Sequence, residues 1–329
     1  MTEDESAERG DATSRGGSAR GNQGNEQRGG WVGIAANAGS GMGGGRRRVE
    51  RLASELARLG LDSRVAWTVS ERSALVGQSN VDPACRCLVA AGGDGTVGAL
   101  VNERPRVPIT VLPAGTENLF AQHFELSRDP ARLAATIAAG AVSRIDLGLT
   151  GDRRFTLMAG IGFDADVVTR HHAVRLNGTA NARPTHRGAY VQSVLASSLR
   201  YRFPQLTVTH GEPGHEETLV GTSVFLFNLP RYALGLPFAP SARGNDGWLN
   251  LVIFREAGPF RALYYLWLVA RGAHLNRPGI FHRKVRKVTI TADHTVPIQL
   301  DGDPGGFLSK DAPWSADVLP GAIDVIVPR

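Results

Sequence analysis

Three times in its first 120 residues the chain runs from a short apolar segment straight into a glycine-containing turn, and this recurrence constrains the fold more than any other feature. The turns are Asn37-Ala38-Gly39-Ser40-Gly41 after VGIAA, Gly92-Gly93-Asp94-Gly95-Thr96 after CRCLVAA, and Leu112-Pro113-Ala114-Gly115-Thr116-Glu117-Asn118 after PITV. Each apolar run is nearly unbroken, as in a strand buried on both faces. Helical patterns lie between them. Val49, Leu52, Ala53, Leu56 and Leu59 share one face and Gly60 stops the helix. SRVAWTV reads as a second strand, and further helices are expected from Asn118 onward and between Asp129 as N-cap, with Pro130 at the first position, and Gly140 just past the end. Strands alternating with helices imply a parallel sheet covered on both sides, a doubly wound α/β domain over residues 31–143.

From residue 144 to 329 the pattern changes to strands separated by turns: RIDLGLT, RFTLMAG, QLTVTH, TSVFLFN, WLNLVIF, KVTITAD, VPIQLDG and AIDVIV. This half reads as a mostly antiparallel β-sandwich whose last strand can return to the first domain, with helices near 164–173, 188–200 and 259–273 and a polar loop at 177–188. Residues 1–30 hold no apolar run and read as a disordered tail. No apolar run reaches the roughly 20 residues that span a bilayer, so a cytoplasmic protein is expected. Net charge is +6 and rises to about +8 without the acidic tail, which favours anionic partners without separating nucleotide, membrane and nucleic acid. Cys85 and Cys87 alternate on one strand and read as reduced core thiols on the same face.

All three turns fall at the carboxyl edge of one parallel sheet, where open α/β sheets bind ligands. Glycines let backbone amides approach phosphate oxygens, and Ser40, Thr96 and Thr116 add hydroxyls. Asp94 would repel phosphates unless a cation lay between, which argues for Mg²⁺. No GxxxxGK[ST] occurs. Gly39, Gly41 and Gly44 satisfy GxGxxG, but the carboxylate a dinucleotide fold needs is misplaced: Asp62 precedes the second strand and Glu71 comes too late.

GGDGTV at 92–97 followed by LPAGTENLFA at 112–121 resembles the diacylglycerol kinase catalytic-domain family, which includes bacterial lipid kinases and sphingosine kinases. NAGSG at 37–41, IDLG at 145–148, GIGFDADV at 160–167, APSARGNDGWLNLVIF at 239–254 and LDGDP at 300–304 extend the resemblance over roughly residues 31–329. It implies ATP held by Asn37, Ser40, Gly41, the loop of Gly92, Gly93, Asp94, Gly95, Thr96, Val97 and Gly98, then Gly115, Thr116 and Asn118, with Thr68 near the adenine or ribose. It implies Mg²⁺ organised by Asp94 through water, and a structural Mg²⁺ site from Arg243 through Asp246 to Trp248. Asp301 would be the general base, with Asp303 as helper or competitor, although a DGD turn is equally what a plain hairpin carries. The implied partner is a lipid hydroxyl at a membrane surface, and no nucleic acid; a homodimer is compatible with the sequence.

Departures from the family pattern are Ala38 for a proline, Leu119 for an aspartate and Asp303 for a glutamate. NAD kinases share GGDGT, but LPAGTEN stands where their NxGxLGFL is expected. A non-catalytic nucleotide or lipid sensor is the other alternative. Two features suit membrane approach: the aromatic helix Leu263, Tyr264, Tyr265, Leu266, Trp267 and Leu268, and the basic run from His282 to Lys287. Either could instead be ordinary structure, a core helix and a solvated strand edge.

Overall fold

The structure, a computed structural model, describes residues 30–37, 44–177, 197, 200–212 and 214–329. The expected tail, the polar loop at 177–188 and the helix at 188–200 lie almost wholly outside these residues, as do Ser40 and Gly41. The first half runs β1 (Trp31–Ala36), α1 (Gly44–Arg58), β2 (Asp62–Ala66), α2 (Val69–Val81), β3 (Cys85–Gly92), α3 (Asp94–Asn102), β4 (Ile109–Pro113), α4 (Leu119–His123) and α5 (Pro130–Ala139). The second runs β5 (Val142–Thr150), β6 (Arg153–Phe155), β7 (Met158–Gly162), α6 (Phe163–Asn177), β8 (Leu206–His210), β9 (Glu217–Gly221), β10 (Ser223–Phe227), β11 (Leu249–Phe254), α7 (Pro259–Ala270), β12 (Ile280–Val285), β13 (Lys287–Ala292), β14 (Val296–Leu300), β15 (Asp303–Leu308) and β16 (Trp314–Ile326).

Strands β2, β1, β3 and β4 pair in parallel; β1, β3 and β4 carry the apolar runs of strands covered on both faces, whereas β2 is a largely exposed edge strand. Among the described residues they belong to a ten-stranded sheet continued by β16, β13, β8 and β9, with β5 and β6 attached through β16. The last strand therefore returns beside β4: Val325 pairs with Ile109, and the Thr110 hydroxyl donates to the Ile326 carbonyl at 3.1 Å. A six-stranded antiparallel sheet, ordered β12-β11-β10-β7-β14-β15, packs Val224, Leu226, Leu251 and Ile298 against Val208, Val288 and Ile290 of the large sheet. That interface is the sandwich.

Local signals set both ends of α5. Asp129 accepts from the Ala131 amide at 3.1 Å and Gly140 closes α5 with φ 65°. Two local expectations fail. Leu59 falls past the end of α1 and is 48% exposed, because the helix stops at Arg58. Cys85 and Cys87 join different hydrophobic clusters on opposite faces of β3, because a bulge sets Trp31 opposite Cys85 and Val32 opposite Cys87, leaving Arg86 as the extra residue. The bulged Arg86 donates to the Ile137 and Ala138 carbonyls at the end of α5, 3.0 and 2.6 Å away. Both cysteines are free and buried, and burial pushes the Cys85 thiol up to about 11.

Candidate active site

The turns after β3 and β4 touch backbone to backbone. A Cβ on Gly115 would stand 2.5 Å from the Gly93 Cα, so neither glycine can carry a side chain without moving a main chain. Asn118, 2% exposed and held at φ 55°, closes the second turn: its Oδ1 accepts from the Gly115 amide at 2.8 Å and its Nδ2 donates to the Gly115 carbonyl at 2.7 Å. Asp94 ties the two turns together. Its carboxylate oxygens accept from the Leu119 and Phe120 amides at 3.0 and 2.9 Å, so it caps α4 from 25 residues away. Burial pushes the Asp94 carboxyl up and those amides oppose the shift. A helix N-terminus thus accounts for a carboxylate at this position without a cation.

Other expected nucleotide ligands have structural roles for their side chains. Thr96 packs its hydroxyl against Gly92, where a Cβ would lie 2.1 Å from the Thr96 Oγ1. Val97 is fully buried in the core, which leaves only its backbone for a ligand. Thr68 is the N-cap of α2 in a reciprocal capping box with Glu71, at the end of the second strand but with its hydroxyl accepting from the Glu71 amide. Asn37 and Thr116 are exposed at the carboxyl edge of the sheet, at the ends of β1 and β4. This edge is thus a platform of backbone with a few hydroxyl and amide groups at its rim.

Across from α3 lies the hairpin between β14 and β15. Asp301 at φ 54° and Gly302 at φ 85° form its two-residue turn, the geometry that favours Asp-Gly. The Asp301 carboxylate is fully engaged. Oδ2 accepts from the Thr156 amide and hydroxyl at 2.7 and 2.9 Å, and Oδ1 from the Leu157 and Met158 amides at 2.7 and 3.0 Å. This grip bends the expected single strand RFTLMAG into β6 and β7 at Thr156-Leu157. Burial raises the Asp301 carboxyl and the four donors oppose it. A carboxylate offers about four acceptor positions. None remains for a substrate hydroxyl, which speaks against the base expected at this position.

The carboxylate of Asp303, two residues on, accepts no hydrogen bond among the described residues, and its Oδ2 lies 3.3 Å from where a Cβ on Gly95 would stand. The two halves therefore meet closely here. Gly95, Gly98, Ala99 and Asn102 of α3, the β6 arginines Arg153 and Arg154, and Asp301 and Asp303 line an open cavity of about 290 Å³. Asn102 fixes β6 by exchanging bonds with the Arg154 backbone at 2.9 Å each way. Arg153 donates to the Pro304 carbonyl at 3.1 Å, whereas the half-buried Arg154 guanidinium has no carboxylate partner among the described residues and is held below its ordinary pKa by burial and by Arg104. Sequence reasoning missed Arg154; nothing in RRF marks it until the sheet brings β6 against α3.

At the expected structural cation site the carboxylate of Asp246 already has a cationic partner. Asp246 is ion-paired to the Lys284 ammonium and accepts from the Trp248 amide at 3.2 Å, Arg286 lies 4.5 Å over the Trp248 ring, and Arg243 is exposed. An ammonium already supplies the positive charge. What holds this loop is Asp146 of the IDLG segment, whose oxygens accept from the Gly247 and Gly321 amides at 2.7 and 2.8 Å while its own amide donates to the Gly244 carbonyl. Among the described residues no three His, Cys, Asp or Glu side chains cluster to hold a metal.

Two family models match the chain in succession: the diacylglycerol kinase catalytic domain over residues 32–150, and the YegS C-terminal NAD kinase beta sandwich-like domain over residues 158–327. Diacylglycerol kinases of Staphylococcus carnosus and Bacillus subtilis are each 27% identical, over 228 and 234 residues, covering 67% of this chain and 71% and 72% of theirs. The fold matches the crystal structure of a diacylglycerol kinase from Bacillus anthracis with TM-score 0.65 at 17% identity, over 91% of this chain and 97% of that one. A yeast NADH kinase complexed with NADH matches with TM-score 0.51 at 12% identity, over 92% and 85% of the two chains. With both halves matched in order by its domains, the chain belongs to the diacylglycerol kinase family and is a kinase.

Proposed function

We propose that the chain transfers the γ-phosphoryl group of ATP, with Mg²⁺, to the hydroxyl of diacylglycerol or a related lipid alcohol. One observation carries this reading: the cavity in which the first turn of α3 faces Asp303 and Arg154. Phosphoryl transfer needs mainly positioning and charge neutralisation, with a carboxylate near the attacking hydroxyl. Amides of the glycine turns and the N-terminus of α3 suit the phosphates, Arg154 suits the transferred group, and Asp303 accepts the hydroxyl proton. Asp301 acts as a positioning residue that fixes the hairpin. Mg²⁺ commonly takes one or two carboxylates plus substrate phosphates and waters, and Asp94, whose two oxygens each accept one amide, retains acceptor capacity for such a water. When bound, the ion would neutralise charge on the phosphates.

A second, apolar space supports a lipid substrate. An apolar space of about 340 Å³ is lined by Phe163, Phe225, Phe254 and Tyr265, with Asp164 at its wall. Gln299 links that wall to the hairpin, donating to Asp164 at 2.8 Å and accepting from the Gly302 amide at 2.9 Å. An acyl chain in the apolar space would leave its polar end near the Asp301–Asp303 turn. The test is transfer of labelled γ-phosphate to a panel of lipid alcohols in mixed micelles, with and without Mg²⁺, beside NAD⁺. Label on one lipid class, lost in Asp303→Asn and Arg154→Ala, is the expected result. Label on NAD⁺ alone, or on nothing, overturns the reading.

A further inference from the structure

Helix α7 meets two apolar environments on opposite sides. Ala262, Tyr265, Leu266 and Val269 follow the i, i+3, i+4, i+7 spacing of one helix face and line the apolar cavity. Phe260, Leu263, Tyr264 and Trp267 repeat the same spacing on the opposite face and point outward, 85%, 37%, 40% and 50% exposed. Large aromatic side chains in water on a helix that already has a buried face call for a partner. Leu263 belongs to both faces, and with Leu234, also 37% exposed, it lies where the cavity meets the surface.

The charge around this face identifies the partner. From residue 255 to 277 four arginines, Arg255, Arg261, Arg271 and Arg277, stand against the single acid Glu256, which pairs with Arg261 at 2.7 Å. Arg271 lies 5.1 Å over the Trp267 ring, placing a cation directly beside the exposed aromatics. The other basic region is already engaged. Arg283 pairs with Glu217, Lys284 with Asp246 and Lys287 with Asp317, and Arg286 covers Trp248. Strand β12, which carries most of that run, is the outermost strand of its sheet. Exposed aromatic and aliphatic side chains with Arg271 beside them, in a segment where arginines outnumber acids four to one, are the chemistry of an anionic lipid interface.

We propose that the outer face of α7 docks on an anionic bilayer, with Phe260, Tyr264 and Trp267 in the headgroup layer, so that an acyl chain passes Leu263 and Leu234 into the cavity. The acyl passage rests on the lipid-substrate reading; the docking does not. At 12 residues α7 lies in the interface plane, and no helix among the described residues is long and apolar enough to cross a membrane.

The test is co-sedimentation of the full chain with phosphatidylcholine vesicles containing or lacking roughly a third phosphatidylglycerol. Alongside it runs turnover of a short-chain, water-soluble diacylglycerol. Wild type is expected to bind the anionic vesicles at least about tenfold more strongly than the neutral ones. Phe260→Ser combined with Trp267→Ser, and separately Arg271→Glu, should abolish most of that binding while leaving the melting curve and short-chain turnover unchanged. Vesicle binding equal in wild type and variants overturns the proposal, as does no binding by wild type. So does a wild-type dimer that the double substitution turns into a monomer with vesicle binding unaltered, which would assign the face to a second copy. Binding that follows the proposal with no turnover of any lipid would instead sink the kinase substrate reading and leave the docking surface standing.

Discussion

Two aspartate-and-glycine turns face each other across the cleft, and they are held together in opposite ways. At the edge of β3 and β4 the ties are short-range: Asn118 reaches three residues back to Gly115, and Asp94 caps α4 across 25 residues. At the hairpin the ties span 143 to 145 residues, from Asp301 to Thr156, Leu157 and Met158. The first platform can form as soon as two neighbouring β-α units pack. The second exists only once β14 has paired with β7. In both places one aspartate accepts from main-chain amides and so fixes the turn beside which the proposed chemistry would occur.

The sharpest way to break this comparison is to exchange the roles of the hairpin aspartates. Asp303→Asn is expected to lower turnover by about 10³-fold, the usual weight of a general base, with unchanged urea unfolding. Asp301→Ala should instead destabilise by about 3 kcal/mol, because four buried donors lose their acceptor. Activity loss without instability in Asp301→Ala would return the base to Asp301. On the platform side, Gly115→Ala forces a Cβ into the Gly93 backbone and should cost about 2 kcal/mol. It should also weaken ATP binding in a direct titration while leaving vesicle binding intact; unaltered ATP affinity would remove the paired turns from the nucleotide site.

The same contrast explains what the sequence shows and what it hides. Strands β1, β3 and β4 announce themselves as unbroken apolar runs, and the Asp129, Pro130 and Gly140 signals frame α5 locally. The GGDGT and LPAGTEN turns are visible because their constraints are local too. What stays hidden depends on partners far along the chain. The break at Thr156-Leu157 is dictated by Asp301, the opposite faces of Cys85 and Cys87 by a bulge against β1, and the fate of Asp246 by Lys284. Arg154 becomes a candidate only when Asn102 holds β6 beside α3. Side-chain chemistry at Asp94 and Asp301 was legible as important, but the reason for it lies in amides that no motif displays.

His274 supplies a third remote tie and the smallest test. It is fully buried just beyond α7, and its Nε2–H donates to the Phe238 carbonyl at 2.8 Å, 36 residues away. Burial depresses its pKa below 6.5, the nearby His282 adds to this, and the Phe238 bond opposes it. The unfolded chain therefore binds more protons between the depressed value and 6.5, so the stability this imidazole contributes is present above pH 6.5 and lost as pH falls below it. His210, lowered by burial and Arg283 against Glu217, acts in the same direction. The raised carboxyls of Asp94 and Asp301 act oppositely: their contribution is full below about pH 4 and declines as pH rises through their folded values. Melting curves from pH 7.5 to 5 should show wild type losing stability by up to about 1 kcal/mol per pH unit more than His274→Gln. Parallel curves would mean that this tie, unlike the one at Asp301, carries no proton-linked share of the second half's stability.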